Sequence, residues 1–423
     1  MLDSLMAGQP CPRCARGKTR LTGWETTSAM FGCNIPGCGW WKRVLLPLSP
    51  KTILYLDTYV ISSMVRNTSD SSPWRRLQYA LADAAADESV CCVISEISRA
   101  EFELSPPLAS AFTEMAETFN DPGACHRLDV QLAQLCRALD RFLAGTAPEL
   151  ETDPPLSDAF HGSISEWRPL LGVYINDRDP PVQVVKRRAT KESIFRTSNS
   201  IYARYAQEAL SSEQIYQREL GGFGEGQIQD FAEAFKTRCA VLAGEVTLAE
   251  ALGNMLATTF EILKDCVLKE TGSDSDQVLK LTVEFFRSDH VRALPLADIG
   301  AHLHSHLAMS VRGPMPRKGK SSDHIDIDHI ATFVPYVDIL LTDKYFADLC
   351  NQANARIGEP YGTKIMSINP DGIDSFVEAL TEITSVSPRA QLSRRMRKAL
   401  ADGGYVEESI ERLKRLINGE GTS

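Results

Sequence analysis

Residues Lys51–Val65 read KTILYLDTYVISSMV. Ile53, Leu54, Tyr55 and Leu56 form a short apolar run, bounded upstream by Pro47 and Pro50. That pattern predicts a buried strand. Asp57 stands where the strand should end, followed by Thr58 and an apolar stretch with helical spacing. In an open α/β sheet the chemistry lies outside the carboxyl ends of the strands. A carboxylate there is costly unless something pairs with it, and a metal ion is the usual partner. The alternative is an acid that caps the following helix with the help of Thr58. On this segment alone both readings stand.

The chain has 423 residues, enough for about two to four domains. Its 43% hydrophobic and 24% charged residues place it among globular proteins rather than disordered or fibrous ones. No apolar run reaches the length of a membrane span, and MLDSLMAGQP lacks the basic-then-apolar layout of a signal peptide. A cytoplasmic location without a membrane partner is therefore expected. In that setting eleven cysteines point to metal ligands and buried thiols rather than disulfides. A net charge of −10 is unlike a general nucleic-acid coat, so such contacts would need local basic patches.

CPRC at Cys11–Cys14 is followed, eighteen residues on, by CNIPGC at Cys33–Cys38. Two knuckles with two thiolates each make a tetrahedral four-cysteine zinc site. A structural zinc supplies folding energy that so small a segment cannot draw from its own core. Arg20–Thr27 and Ala29–Gly32 read as two short strands joined by a turn. The Cys-Pro-x-Cys knuckle, the aromatic-Gly-Cys at Phe31, Gly32 and Cys33, and the Pro-Gly-Cys of the second knuckle resemble the zinc ribbons of bacterial type I topoisomerases. Those ribbons bind single-stranded DNA, and the resemblance covers the first forty-odd residues. Arg13, Arg16, Lys18, Arg20, Lys42 and Arg43 interleave with Trp24, Phe31, Trp40 and Trp41. Cations among π-faces suit a platform for single-stranded nucleic acid. The competing reading makes these aromatics the small core of the ribbon or its docking face.

Trp74–Asp87 carries an apolar stripe at helical spacing, and Ser89–Ser95 reads as a second buried strand. Ser95 or Ser98 then caps a helix in which Glu101 could complete a capping box; Glu96 lies closer to the strand end. A strand ending in Leu-Asp-Thr, a helix, a strand and then Ile-Ser-x-x-Ser-x-x-Glu resembles the first half of a PIN domain. PIN domains are metal-dependent nucleases with a small α/β sheet and a cluster of acids. The resemblance implies Asp57 as first acid and Glu101 as second. Tyr59 departs from the pattern, where many members carry Asn or Ser.

Leu104–Leu296 reads mostly as helix, with stripes in Val130–Leu143, Ser200–Leu210, Gln227–Leu242, Leu248–Val267 and Asp276–Phe286. Breakers fall at Asp153–Pro155, Asp177–Pro181 and Gly221–Gly226. GGFGEG follows no strand and carries no Lys-Ser/Thr, so it is expected to be a loop rather than a phosphate cradle. Lys186, Arg187, Arg188 and Lys191 form a basic patch, read as a solvated helix face or a phosphate contact.

SSDHIDIDHIATFVPYVDILLTDKYF, from Ser321, is the densest polar stretch. Asp323–Phe333 is expected to be a helix and Val337–Leu341 a strand, with Thr342, Asp343 and Lys344 at its carboxyl end. This resembles the second PIN half, with Asp326 matching the third acid in DIDHIA and Asp343 the fourth. Thr342 and Asp343 sit one residue closer than in the Thr-x-Asp form. Asp338 recurs in larger PIN-like families, so Asp338 and Asp323 rank as secondary ligands. Carboxylates suit Mg²⁺ or Mn²⁺, hard ions that keep waters for reaction. In AHLHSHLA, His302 and His306 share a helix face while His304 points away; a zinc site there would lack the expected company. His324 and His329 are near the acids but not required.

Gly362–Asn369 reads as a further strand, with a helix from Asp371. Beyond Pro388 the chain is helical, basic at Arg394, Arg395, Arg397 and Lys398, and of mixed charge through Glu407–Leu416. Such charged helices are most often solvated faces or partner contacts.

The resemblances imply an α/β fold, a PIN-like three-layer α/β/α sheet with a large α-helical insertion and an N-terminal zinc ribbon. The expected layout is ribbon 1–48, first PIN-like half 50–103, insertion 104–296, second half 297–386 and charged helices 387–423. The expected activity is divalent-metal-dependent hydrolysis of nucleic acid, RNA favoured. Asp57, Glu101, Asp326 and Asp343 would be the catalytic Mg²⁺ or Mn²⁺ ligands, and Cys11, Cys14, Cys33 and Cys38 the structural Zn²⁺ ligands. Many PIN-like enzymes are toxins or defence effectors, which makes a neutralising or regulatory protein an expected partner. The rivals are a non-enzymatic nucleic-acid-binding scaffold with a decayed PIN fold and a structure-specific DNA nuclease of the flap-cleaving type.

Overall fold

Short β-rich runs bounded by Pro, Gly and Ser alternate with amphipathic stretches, and the structure follows that alternation. The computed structural model describes residues 2–95, 98–99, 102, 106–119, 123–168, 200–247, 258–312, 320, 323–352 and 356–402. In chain order the first elements are α1 (Leu2–Met6), β1 (Thr19–Trp24), β2 (Ser28–Cys33), β3 (Trp41–Leu45), β4 (Thr52–Leu56), α2 (Thr58–Arg66), α3 (Pro73–Ala86), β5 (Val90–Val93) and α4 (Pro106–Thr118). There follow α5 (Arg127–Leu143), α6 (Ser212–Leu242), α7 (Thr259–Thr271), α8 (Ser275–Arg287), α9 (Asp289–Arg292), α10 (Pro295–Arg312) and α11 (Asp323–Phe333). The last are β6 (Ile339–Thr342), α12 (Lys344–Cys350), β7 (Lys364–Ser367), α13 (Ile373–Val386) and α14 (Pro388–Asp402). The fold is α/β, with three antiparallel strands β1-β2-β3 and four parallel strands in the order β5-β4-β6-β7. Among the described residues no helix is long and apolar enough to cross a membrane.

The chain divides into two compact units. The first comprises residues 1–124, 160–178 and 368–423, and the second 125–159 and 179–367. In the first unit β1 pairs with β2 through Leu21↔Phe31, with an irregularity between Leu21 and Gly23. β2 pairs with β3 through Phe31↔Lys42. This small sheet cannot cover its own inner face. Leu21, Trp24, Phe31 and Val44 are instead buried with Trp167, Met396 and Leu400. Each fully buried large side chain contributes about 1.5–3 kcal/mol. β4 and β5 pair in parallel, Ile53↔Cys91 and Leu54↔Cys92. Every residue of β5 is buried, the continuous apolar pattern of a covered parallel strand. α2 buries Val60, Ile61, Met64 and Val65, and α3 buries Trp74, Leu77, Leu81 and Ala84.

In the second unit the core gathers Leu135 and Leu139 of α5, Leu220 of α6, Phe260 and Leu263 of α7, and Phe285 and Phe286 of α8. β6 and β7 pair in parallel from Ile339↔Lys364 to Thr342↔Ser367.

One expectation of the sequence is corrected here. GGFGEG is not a loop: α6 runs unbroken for 31 residues through Gly221–Gly226. A Cβ on Gly224 would lie 1.8 Å from the carbonyl oxygen of Phe286, so this glycine lets α8 approach the helix closely. The two strands expected between the knuckles are present as β1 and β2, and Trp41–Leu45 adds β3 beyond the second knuckle. The stripe expected over Leu248–Val267 begins, among the described residues, at α7, where Thr258 and Glu261 form a capping box. Leu248–Ala257, Asp177–Pro181, the cluster Lys186, Arg187, Arg188 and Lys191, and Glu407–Leu416 lie outside the described residues.

Candidate metal centre and the acidic positions

The knuckles are shaped by backbone that few side chains tolerate. Ala15 adopts φ 53°, Gly37 φ 76° and Gly39 φ 66°, the left-handed region that glycine enters freely. The first knuckle closes through Cys11 N–H to Gly17 O at 2.7 Å and Ala15 N–H to Cys11 O at 2.9 Å. The second closes through Cys38 N–H to Ile35 O at 3.2 Å. These turns aim four sulfurs at one point. Cys11 Sγ lies 3.7 Å from Cys38 Sγ and Cys14 Sγ 3.7 Å from Cys33 Sγ, and all four sulfurs fall within 4.8 Å of one another. A zinc tetrahedron with bonds of about 2.3 Å has sulfur–sulfur edges of about 3.8 Å. All eleven cysteines in the chain are free thiols. The donor set therefore fits a zinc ion held by Cys11, Cys14, Cys33 and Cys38.

Backbone N–H groups also point at the sulfurs. Gly17 N–H donates to Cys14 Sγ and Ile35 N–H to Cys33 Sγ, each at 3.4 Å. The Gly17 hydrogen bond holds the Cys14 thiol down at about 6, while desolvation pushes Cys33 up to about 12. A metal must displace the proton from Cys33 to bind there. Gly17 itself admits no side chain, because a Cβ would lie 2.6 Å from Cys33 Sγ and 2.5 Å from Ile35 Cγ1.

The aromatic residues of the ribbon divide by face. Trp24 and Phe31 are core, as the competing reading held. Trp41 is 71% exposed on the outer edge strand, flanked by exposed Lys42 and Arg43. Arg43 pairs with Glu25 at 3.1 Å.

The acids are distributed over both units. Asp57 is half-buried at the carboxyl end of β4 and occupies the N-cap of α2, yet its carboxylate makes no cap hydrogen bond. Beside it in sequence, Thr58 Oγ1 lies 2.8 Å from Ser98 Oγ, which is 3.0 Å from Ser95 Oγ. Ser95 also accepts from Ser98 N–H at 3.2 Å, which makes Ser95 the local cap. Ser98, which the sequence offered only as a helix cap, is the partner of Thr58, a contact across 40 residues that no local spacing signals. Tyr59 leaves this network and packs edge-on against Trp74 at 5.9 Å. Glu101 and Glu96 lie outside the described residues.

In the second unit, Asp326 is half-buried on α11, and buried Asp323 accepts from Lys320 N–H at 2.8 Å. Asp338 is exposed just before β6. Asp343 caps α12, its Oδ1 accepting from Phe346 N–H at 2.9 Å. His304 Nδ1 is 2.8 Å from Tyr202 Oη and its ring stacks on His324 at 5.2 Å. His302 turns instead to Tyr216, ring to ring at 4.1 Å. Among the described residues the four cysteines are the group of three or more metal-ligating side chains whose atoms all lie within 4.8 Å.

Fold and site together define an α/β protein with a parallel sheet and a four-cysteine group able to hold zinc. No family model, no curated protein and no solved structure matches the chain.

Proposed function

We propose that this protein is a divalent-metal-dependent nuclease of PIN-like type, acting on single-stranded nucleic acid with RNA favoured. The observation that carries the reading is Asp57. It ends a buried parallel strand at an N-cap position but does not use its carboxylate as a cap. Asp343 also stands at the carboxyl end of a buried strand, β6, but there Oδ1 caps α12 by accepting from Phe346 N–H. Asp57, Glu101, Asp326 and Asp343 are the proposed ligands, with Asp323 and Asp338 as secondary ones. Their oxygens suit Mg²⁺ or Mn²⁺. Such ions, when bound, offset phosphodiester charge and activate water. The chain's own residues fix the carboxylates: β4 and α2 hold Asp57, and the Phe346 N–H orients Asp343. The zinc ribbon stiffens the N-terminal segment and offers Trp41, Lys42 and Arg43 to unpaired bases and phosphates. A toxin or defence role, with a neutralising protein partner, is part of the same proposal.

A scaffold that binds nucleic acid without cleaving it is the second reading. It draws on the same ribbon and on the four cysteines being the metal-holding group among the described residues. Cleavage of single-stranded RNA, single-stranded DNA and flap substrates with Mn²⁺ or Mg²⁺, compared between the parent and Asp57→Asn, separates them. Metal-dependent cleavage lost in the variant supports the nuclease and names its substrate. Equal cleavage by both proteins, or binding without cleavage by the parent, overturns it.

A further inference from the structure

Backbone hydrogen bonds sort the residues of β3 into two sets. Cys33 N–H donates to Trp40 O at 3.2 Å, and Leu46 N–H donates to Thr27 O at 2.9 Å. Antiparallel strands bond one another at every second residue. In the register that runs from Gly32↔Trp41 to Ser28↔Leu45, the even-numbered residues of β3 are therefore the ones bonded to β2. The N–H and C=O groups of Trp41, Arg43 and Leu45 point the other way. β3 is the last strand in the order β1-β2-β3, and among the described residues no strand pairs with its far side. These three residues form an open edge.

The edge has apolar ends and a neutralised centre. Proteins commonly blunt an edge strand with outward charges or proline. Here the outward positions at both ends carry large apolar side chains, Trp41 at 71% and Leu45 at 79% exposure. Arg43 lies between them, and Glu25 neutralises it at 3.1 Å. The edge is also bounded evenly. Gly39, at φ 66°, turns the chain before it, and Pro47 has no N–H to extend it. Each stands four residues from Arg43, so the edge is symmetric about that residue.

We propose that a second copy of this chain pairs with β3, antiparallel and two-fold about Arg43, joining two ribbons into one continuous sheet. In that register Trp41 of each copy faces Leu45 of the other, and the two Arg43 residues face each other. Every outward N–H and C=O of the edge then finds a partner, since each facing pair exchanges two hydrogen bonds. The occupant follows from self-complementarity. The apolar ends exchange partners, and the facing guanidiniums, which alone would repel, each bring a Glu25 carboxylate with them. Facing residues project on the same side of a sheet, so both Trp41 rings stay on the outer face. The proposal goes beyond the nuclease reading and does not depend on it.

The test is sedimentation equilibrium of the full chain in the micromolar range, where the parent should be a dimer. Arg43→Pro removes an outward N–H and leaves the bonds to β2 in place. Leu45→Glu sets a carboxylate against the partner copy's indole. Each should weaken the dimer at least about tenfold, and an unchanged zinc content shows that the ribbon still folds. Cross-linking then reads the register. Residues facing across the two-fold lie about 5.5 Å apart between Cα atoms, within disulfide reach. Arg43→Cys should therefore oxidise to a covalent dimer well above the parent's background, whereas Leu45→Cys, which faces Trp41, should not. A monomeric parent overturns the proposal. So does a dimer that both Arg43→Pro and Leu45→Glu leave intact, or cross-linking of Leu45→Cys as readily as Arg43→Cys.

Discussion

Arg389 and Glu88, 301 residues apart in the chain, meet at 3.2 Å with both side chains buried. Lys51 Nζ reaches the same carboxylate at 2.7 Å. Arg389 also donates to the carbonyl oxygens of Ser49 and Ser165 and stacks on Trp167 at 4.4 Å. Burial lowers the pKa of both Lys51 and Arg389, and the Glu88 carboxylate opposes that shift. Removing Glu88 would leave two buried cations facing each other. Glu88→Gln should therefore destabilise the first unit by about 3–5 kcal/mol. Denaturant unfolding measures this, and a loss below about 1 kcal/mol would contradict it.

The knuckle geometry predicts one zinc per chain by elemental analysis of the purified protein. Cys14→Ser should remove the metal by taking away a ligand. Gly17→Ala should do so by collision, since its new methyl meets Cys33 Sγ and Ile35. Retention of full zinc in Gly17→Ala would show that the knuckle yields more than its packing allows.

The glycines of α6 should answer with opposite signs. Ala at Gly224 meets the Phe286 carbonyl and should cost about 1–3 kcal/mol. Ala at Gly222, where a Cβ meets nothing within 4 Å, should stabilise the helix by about 0.5–1 kcal/mol. Melting the two variants side by side tests both signs at once.

Acid sensitivity should include a contribution from Glu261. Its hydrogen bond from Arg238 holds its carboxyl at about 2, below the unfolded value of about 4.3. A depressed folded pKa contributes stability that is complete above the unfolded value and is lost as pH falls toward about 2. In Glu261→Gln the fall in stability between about pH 4.3 and 2 should be shallower than in the parent. An unchanged slope would remove Glu261 from the account.

Where local pattern and tertiary environment agreed, the sequence was legible. The run Thr52–Leu56, the helix Asp323–Phe333 and the cysteine knuckles each follow from short-range spacing, and the structure has them. Gly221–Gly226 misled because glycine's cost in a helix is small beside the packing of α6 against its neighbours. The meeting of Arg394 and Arg397 of α14 at one carboxylate could not be read at all. It depends on Asp87, 307 residues before Arg394. The exposed Trp41 and the buried Trp24 likewise differ only through which face of the ribbon is covered.

That covering has a consequence for biosynthesis. Trp24 and Phe31 emerge from the ribosome early, but Met396 and Leu400, which share their core, are made much later. At about 5–20 residues per second the gap from Trp24 to Met396 lasts roughly 20–75 s. Throughout that interval the knuckles can load metal while one side of the nascent ribbon lies open to water or to a chaperone.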